Sequence, residues 1–158
     1  MLCLLLITKT IAQTPDSTVT ISAATDSYQF AYNAASASVQ IKQKQTTTYT
    51  ASVFMANIPV AETFNNQVSI TNVECKVDGR TPKDFKPLYQ YYSRDDIFYS
   101  DAQICYFPLT IPKKGTSAVV TFEQLIKDPR YFTTIDLSAP YAITHKEVNI
   151  KTPRWMKV

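Results

Sequence analysis

From residue 38 onward, apolar and polar side chains alternate along the chain with a period of two. In residues 38–45, Val39 and Ile41 face one way while Lys42 and Lys44 face the other, the pattern of a half-buried strand. Residues 46–56 continue it, with Tyr49, Ala51, Val53 and Met55 on one face. Residues 68–77 form a third alternating run, which ends in Asp78-Gly79. That dipeptide suits a type I′ hairpin turn, where both central residues need positive φ. Further strands are predicted over 102–109, 117–126, 132–137 and 145–151. They are separated by turn signals at 112–115, Asp128-Pro129 and Ala139-Pro140. Residues 14–37 have weak periodicity and read as a surface lead-in holding a short strand over 26–32. Pro82, Pro87 and clustered charges break the pattern over 81–101, which reads as a folded loop with one helical turn near 83–85. Helical periodicity nowhere extends beyond about ten residues. About seven to nine short strands with regular turns predict an all-β fold, an antiparallel β-sandwich.

Composition agrees. Ten tyrosines and eight phenylalanines accompany abundant Thr, Ile and Val, the residues that fit a pleated surface. At 158 residues, with 45% hydrophobic and 18% charged, the chain supports one domain with one core. Two glycines are too few for a phosphate-cradling loop, and one histidine, His145, leaves no histidine cluster for catalysis. The net charge of +3 is scattered and gives no nucleic-acid footprint. No cofactor is expected.

Residues 1–13 begin with an apolar run too short to span a bilayer and close on Ile11-Ala12-Gln13. They read as the back half of a secretory signal peptide whose charged start is missing. Export to the periplasm or cell surface follows, with residues 14–158 as the sandwich. The apolar ending at Trp155, Met156 and Val158 predicts a piece cut from a longer protein. Beyond the leader, Cys75 and Cys105 remain. In an oxidising compartment they could form a disulfide, or they could be buried thiols, since each lies in an apolar strand pattern.

Chemical candidates are few. Cys105 with His145 has the residue types of a nucleophile and a base, but a cysteine within a β pattern lacks the setting that activates a thiolate. Asp95, Asp96 and Asp101 could pair carboxylates for glycoside chemistry, or be solvated loop residues. The stretch 86–94 interleaves aromatic and basic side chains. Its Tyr89, Tyr91, Tyr92 and Arg94 form a candidate partner or ligand surface, against the plainer reading that the tyrosines seal the end of the sandwich.

The segment Cys75-Lys76-Val77-Asp78-Gly79-Arg80, then Lys83-Asp84, then Phe98-Tyr99-Ser100-Asp101-Ala102-Gln103-Ile104 resembles the bacterial domain of unknown function 3857. Gln103 stands where that family often has arginine. Asp128-Pro129-Arg130-Tyr131-Phe132, Pro153-Arg154-Trp155-Met156 and the Ile-Ala-Gln leader ending are similar to Bacteroidetes-type members. The resemblance spans about residues 28–158. It implies a secreted β-sandwich placed before a transglutaminase-like domain that carries the catalytic residues, none of which falls in this chain. The expected function is therefore a non-catalytic accessory module that positions that domain or holds a protein or peptide partner. The alternative is a carbohydrate- or surface-binding module using the tyrosine-rich loop 86–99. No membrane span is expected.

Overall fold

The first strand shows why part of the pattern was faint. In the computed structural model, which describes residues 16–91, 101–132 and 134–156, the chain enters as β1, Asp16–Asn33. This strand runs 18 residues where a lead-in was expected. Val19 and Ile21 point into the core, then the register shifts between Ile21 and Ala23. Beyond this bulge the inward set becomes Ala24, Asp26 and Tyr28. An extra residue flips the side-chain parity, so one continuous strand reads as two weak fragments.

The remaining strands are β2 (Ser38–Ala51), β3 (Ala56–Phe64), β4 (Val68–Val77), β5 (Leu88–Tyr91), β6 (Gln103–Ile111), β7 (Ser117–Ile126), β8 (Tyr141–Ile143) and β9 (Lys146–Lys151). They build an all-β sandwich. One sheet has the order β4-β7-β2-β1-β8, with β9 also on β1, and the other has the order β3-β6-β5. Pairing is antiparallel except at the outer edge of β1, where β8 and β9 run parallel to it.

Several expectations are corrected. β2 stops at Ala51, and Val53 and Met55 sit exposed in a turn rather than on a strand face. Met55 there takes φ 52, which no strand accommodates. β3 lies where no strand was anticipated, because Pro59 and Glu62 interrupt its apolar pattern. Pro59 pairs opposite Pro108 on an edge strand, where a missing donor is tolerated. Pro108 lies past the end of the short β5, which pairs only with 103–106. β5 itself falls within the stretch read as loop. The turn near 83–85 is present, with the Phe85 N–H donating to the Pro82 carbonyl at 3.2 Å.

No strand forms at the described positions of 132–137. A 3-10 turn, Pro129–Tyr131, capped by the Asp128 side chain, redirects the chain there. Phe132 instead fills a gap against Tyr28 and Phe30, at ring distances of 4.9 and 5.4 Å. The Asp78-Gly79 turn is as expected, with φ 51 and 73 and reciprocal bonds between Val77 and Arg80. The returning arm pairs only at Arg80.

The core has two parts. The larger packs Val19, Ile21, Ile58, Val60, Phe107, Leu109, Ile111, Val120 and Phe122 between the sheets. The smaller joins Tyr28, Ile41 and Ile126 at the far end. Cys75 and Cys105 are free thiols, fully buried in the larger cluster. The buried-thiol reading therefore holds, with no bond between them.

Candidate functional site: a polar layer between the sheets

A band of polar side chains separates the two apolar clusters. Along β1 the inward sequence is Ala24, Asp26, Tyr28; along β7 it is Phe122, Gln124, Ile126. On β3, Glu62 follows Ile58 and Val60 on the inward face. Cross-strand register aligns the band, with Asp26 opposite Gln45 and Gln43 opposite Gln124. The polar positions therefore occupy two neighbouring levels, Asp26 and Gln45 beside Phe122, and Gln43 and Gln124 beside Tyr28. Buried polar groups at such a level need partners, since an unpaired one costs about 1–3 kcal/mol.

The partners are present. Lys146 of β9 places its Nζ 2.9 Å from Asp26 Oδ2 and donates to the Asp136 carbonyl at 2.7 Å. Gln124 Nε2 donates to Glu62 Oε1 and to the Thr63 carbonyl, both at 3.2 Å. Asp136 in turn accepts from Ser138 through its N–H at 2.8 Å and its hydroxyl at 2.7 Å, which holds its carboxyl below the usual range. Burial pushes the Glu62 carboxyl up to about 7, helped by the nearby Asp26 charge and opposed by the Gln124 bond. Burial also raises Tyr28 and Tyr49 to about 12, with Asp26 and then Glu62 adding at Tyr28, and Tyr141 and then Glu62 at Tyr49.

The band borders a cleft of about 670 Å³ lined by Asp26, Gln43, Gln45, Glu62, Gln124 and Lys146 among others. A smaller adjoining space of about 290 Å³ shares Asp26, Glu62 and Lys146. The cleft offers amide, carboxyl and ammonium groups for hydrogen bonding, including a carboxyl that changes charge near neutrality. Burial raises the Cys75 thiol to about 11 and also raises Cys105, which lies opposite Glu62 in the ladder.

The sequence-predicted candidates lie elsewhere. Cys105 is enclosed on β6, while His145 is exposed beside β1 on the other sheet, its carbonyl accepting from Ala24 at 2.9 Å. The fold therefore does not join them. Tyr89 and Tyr91 alternate with Gln90 on β5, so both project from the same face, and they are 56% and 74% exposed. Tyr89 sets its ring edge-on to Phe64 at 6.0 Å. Tyr92, Arg94, Asp95 and Asp96 lie outside the described residues. Asp101 is exposed and accepts from the Asn66 N–H at 3.4 Å. Among the described residues, no cluster of His, Cys, Asp or Glu is arranged to hold a metal, and no helix is long and apolar enough to cross a membrane.

The polar layer escaped the sequence reading. Its signal was a polar residue in an inward parity position, as at Glu62 after Ile58 and Val60. At Asp26 the bulge hid that parity.

No protein-family profile matches the chain. No curated protein matches it either. Among solved structures, the chain is similar to a protein described as nutrient binding from Legionella pneumophila, with a TM-score of 0.43 and 9% identity over 70% of this chain and 41% of that one. It is also similar to an M1 zinc metallopeptidase from Deinococcus radiodurans, with a TM-score of 0.33 and 6% identity over 70% of this chain and 21% of that one. The chain thus spans under half the length of either protein.

Proposed function

We propose that the chain is a non-catalytic β-sandwich accessory module of an exported bacterial transglutaminase-like protein, and that it positions the catalytic domain. The observation that carries this reading is the outer face of the three-stranded sheet. A sheet face turned to water normally alternates to polar residues. Here the outward positions Pro59, Ala61, Ile104, Tyr106 and Pro108 line an open, largely apolar hollow of about 610 Å³. An apolar sheet face of this kind suits a neighbouring domain as its cover. The buried, un-ionised cysteines fit a scaffold better than a hydrolase.

The test is to read the gene downstream of Val158 and express the longer protein. Backbone amides of 57, 58, 60, 61 and 104–107 should exchange more slowly there than in the present chain. Equal exchange in both proteins, or the lack of a transglutaminase-like sequence downstream, would refute the reading.

A second reading, a glycan-binding surface, is favoured by the exposed pair Tyr89 and Tyr91. Sugar rings stack on such faces. Loss of glycan-array binding in Tyr91→Ala would support it, and no binding by the parent chain would end it.

A further inference from the structure

The turn between β2 and β3 carries Val53, Phe54 and Met55 at the tip of the sandwich, 41%, 73% and 60% exposed. The β6–β7 turn lies beside it. The Met55 N–H donates to the Pro112 carbonyl at 3.3 Å, and the Gly115 N–H to the Ala51 carbonyl at 2.8 Å. That second turn presents Lys113 and Lys114, both exposed. Neither forms an ion pair among the described residues. The next turn, tied in through the Asp78 N–H to the Ser117 carbonyl at 3.0 Å, brings Asp78 together with Arg80. The local charge therefore stays positive. The left-handed φ of 52 at Met55 would suit glycine or asparagine better, yet a long apolar side chain occupies it.

We propose that this end of the sandwich docks on an anionic lipid surface, with Phe54 and Met55 inserted and Lys113 and Lys114 on the headgroup phosphates. Three features favour lipid over a protein partner. The apolar residues are consecutive in one exposed turn. One short turn supplies few of the roughly 20–30 residues a side that a stable protein interface uses. A fluid interface needs no matching shape, and apolar side chains bury about 5–10 Å into it while basic residues meet anionic headgroups. This inference does not rest on the accessory-module reading, which concerns the outer face of the three-stranded sheet.

The experiment is co-sedimentation with phosphatidylcholine vesicles, with and without about a third phosphatidylglycerol. The parent chain should bind the anionic vesicles and not the neutral ones, and salt should weaken binding. Lys113→Glu with Lys114→Glu should lower partitioning by more than the ~5-fold expected from each lysine alone. Phe54→Ser with Met55→Ser should lower it about tenfold or more. All four side chains are exposed, so melting temperatures should stay within a few degrees of the parent's, which separates lost binding from lost folding.

Failure of the parent to bind anionic vesicles at low salt would overturn the proposal. Parent-like binding by the Phe54/Met55 double variant would reduce the contact to adsorption and overturn insertion. Parent-like binding by the lysine variant would overturn the charge recognition. In the longer protein, slower exchange at 53 and 54 than in the present chain, without lipid, would make the tip an interdomain contact and likewise overturn it.

Discussion

Glu62 is an acid placed where its strand calls for an apolar residue. Asp26 and Lys146 form an ion pair nearby, and Gln124 holds the Glu62 carboxyl. Its pKa rises from the ordinary 4.5 to about 7, chiefly through burial. The consequence for stability has a definite sign. Below about pH 4.5 the carboxyl is neutral in folded and unfolded chains, and nothing is lost. Between about 4.5 and 7 the unfolded chain ionises while the folded one keeps its proton, so stability falls as pH rises. Above about 7 the penalty is complete. Glu62→Gln keeps a hydrogen-bonding group but cannot ionise. It should flatten the stability curve across that window and add up to about 3 kcal/mol at pH 8. Urea titrations of both proteins at pH 5 and pH 8 measure this directly. A parent curve that rises over the window would contradict the enclosed carboxyl.

Among the elements, β1 matters most. It is the strand on which β2, β8 and β9 all pair, and its early residues belong to the main core. Had residues 14–25 been a surface lead-in, trimming a side chain there would cost little. Because Ile21 is 4% exposed, Ile21→Ala should cost about 2–5 kcal/mol in a denaturant titration. A change under about 0.5 kcal/mol would be the signature of a surface residue. The β2–β3 turn gives the opposite sign. Met55 has a positive φ and is exposed, so Met55→Gly removes backbone strain without emptying the core. It should raise stability by about 0.5–1 kcal/mol, read as a small upward shift in Tm.

For the whole molecule, the two sheets close over a main apolar cluster that contains both cysteines. Cys75 comes from an edge strand of one sheet and Cys105 from the central strand of the other. Both are almost fully buried, so neither meets a reagent in the closed sandwich. Burial also keeps both thiols protonated at neutral pH. Labelling by a thiol reagent should therefore be slow in native buffer. Across a urea series both cysteines should become reactive at one common midpoint, matching loss of the β-sheet circular dichroism signal. Early reaction of one cysteine alone would show that the sheets separate in steps.

The period of two over 38–51 and 73–77, the run 117–126 and the Asp78-Gly79 turn were legible in the sequence because each depends on neighbours close along the chain, while a register shift after Ile70 breaks the period earlier in β4. Side-chain alternation and a positive-φ dipeptide are local facts, and together they specify strands, a hairpin turn and an all-β fold. The paired apolar neighbours of Cys75 and Cys105 likewise pointed both inward. Tertiary structure alone decided the rest. The bulge after Ile21 reversed the parity of β1, and only pairing with β2 shows that 16–33 is one strand. Pro59 became acceptable because β3 lies at a sheet edge. Phe132 left the strand pattern because a space beside Tyr28 and Phe30 was there to fill. The polar layer gathers Asp26, Gln45, Glu62, Gln124 and Lys146 from β1, β2, β3, β7 and β9, residues far apart in the chain. Its existence depends on strand order and register, which follow from how the sheets bury their apolar faces together and not from any one segment.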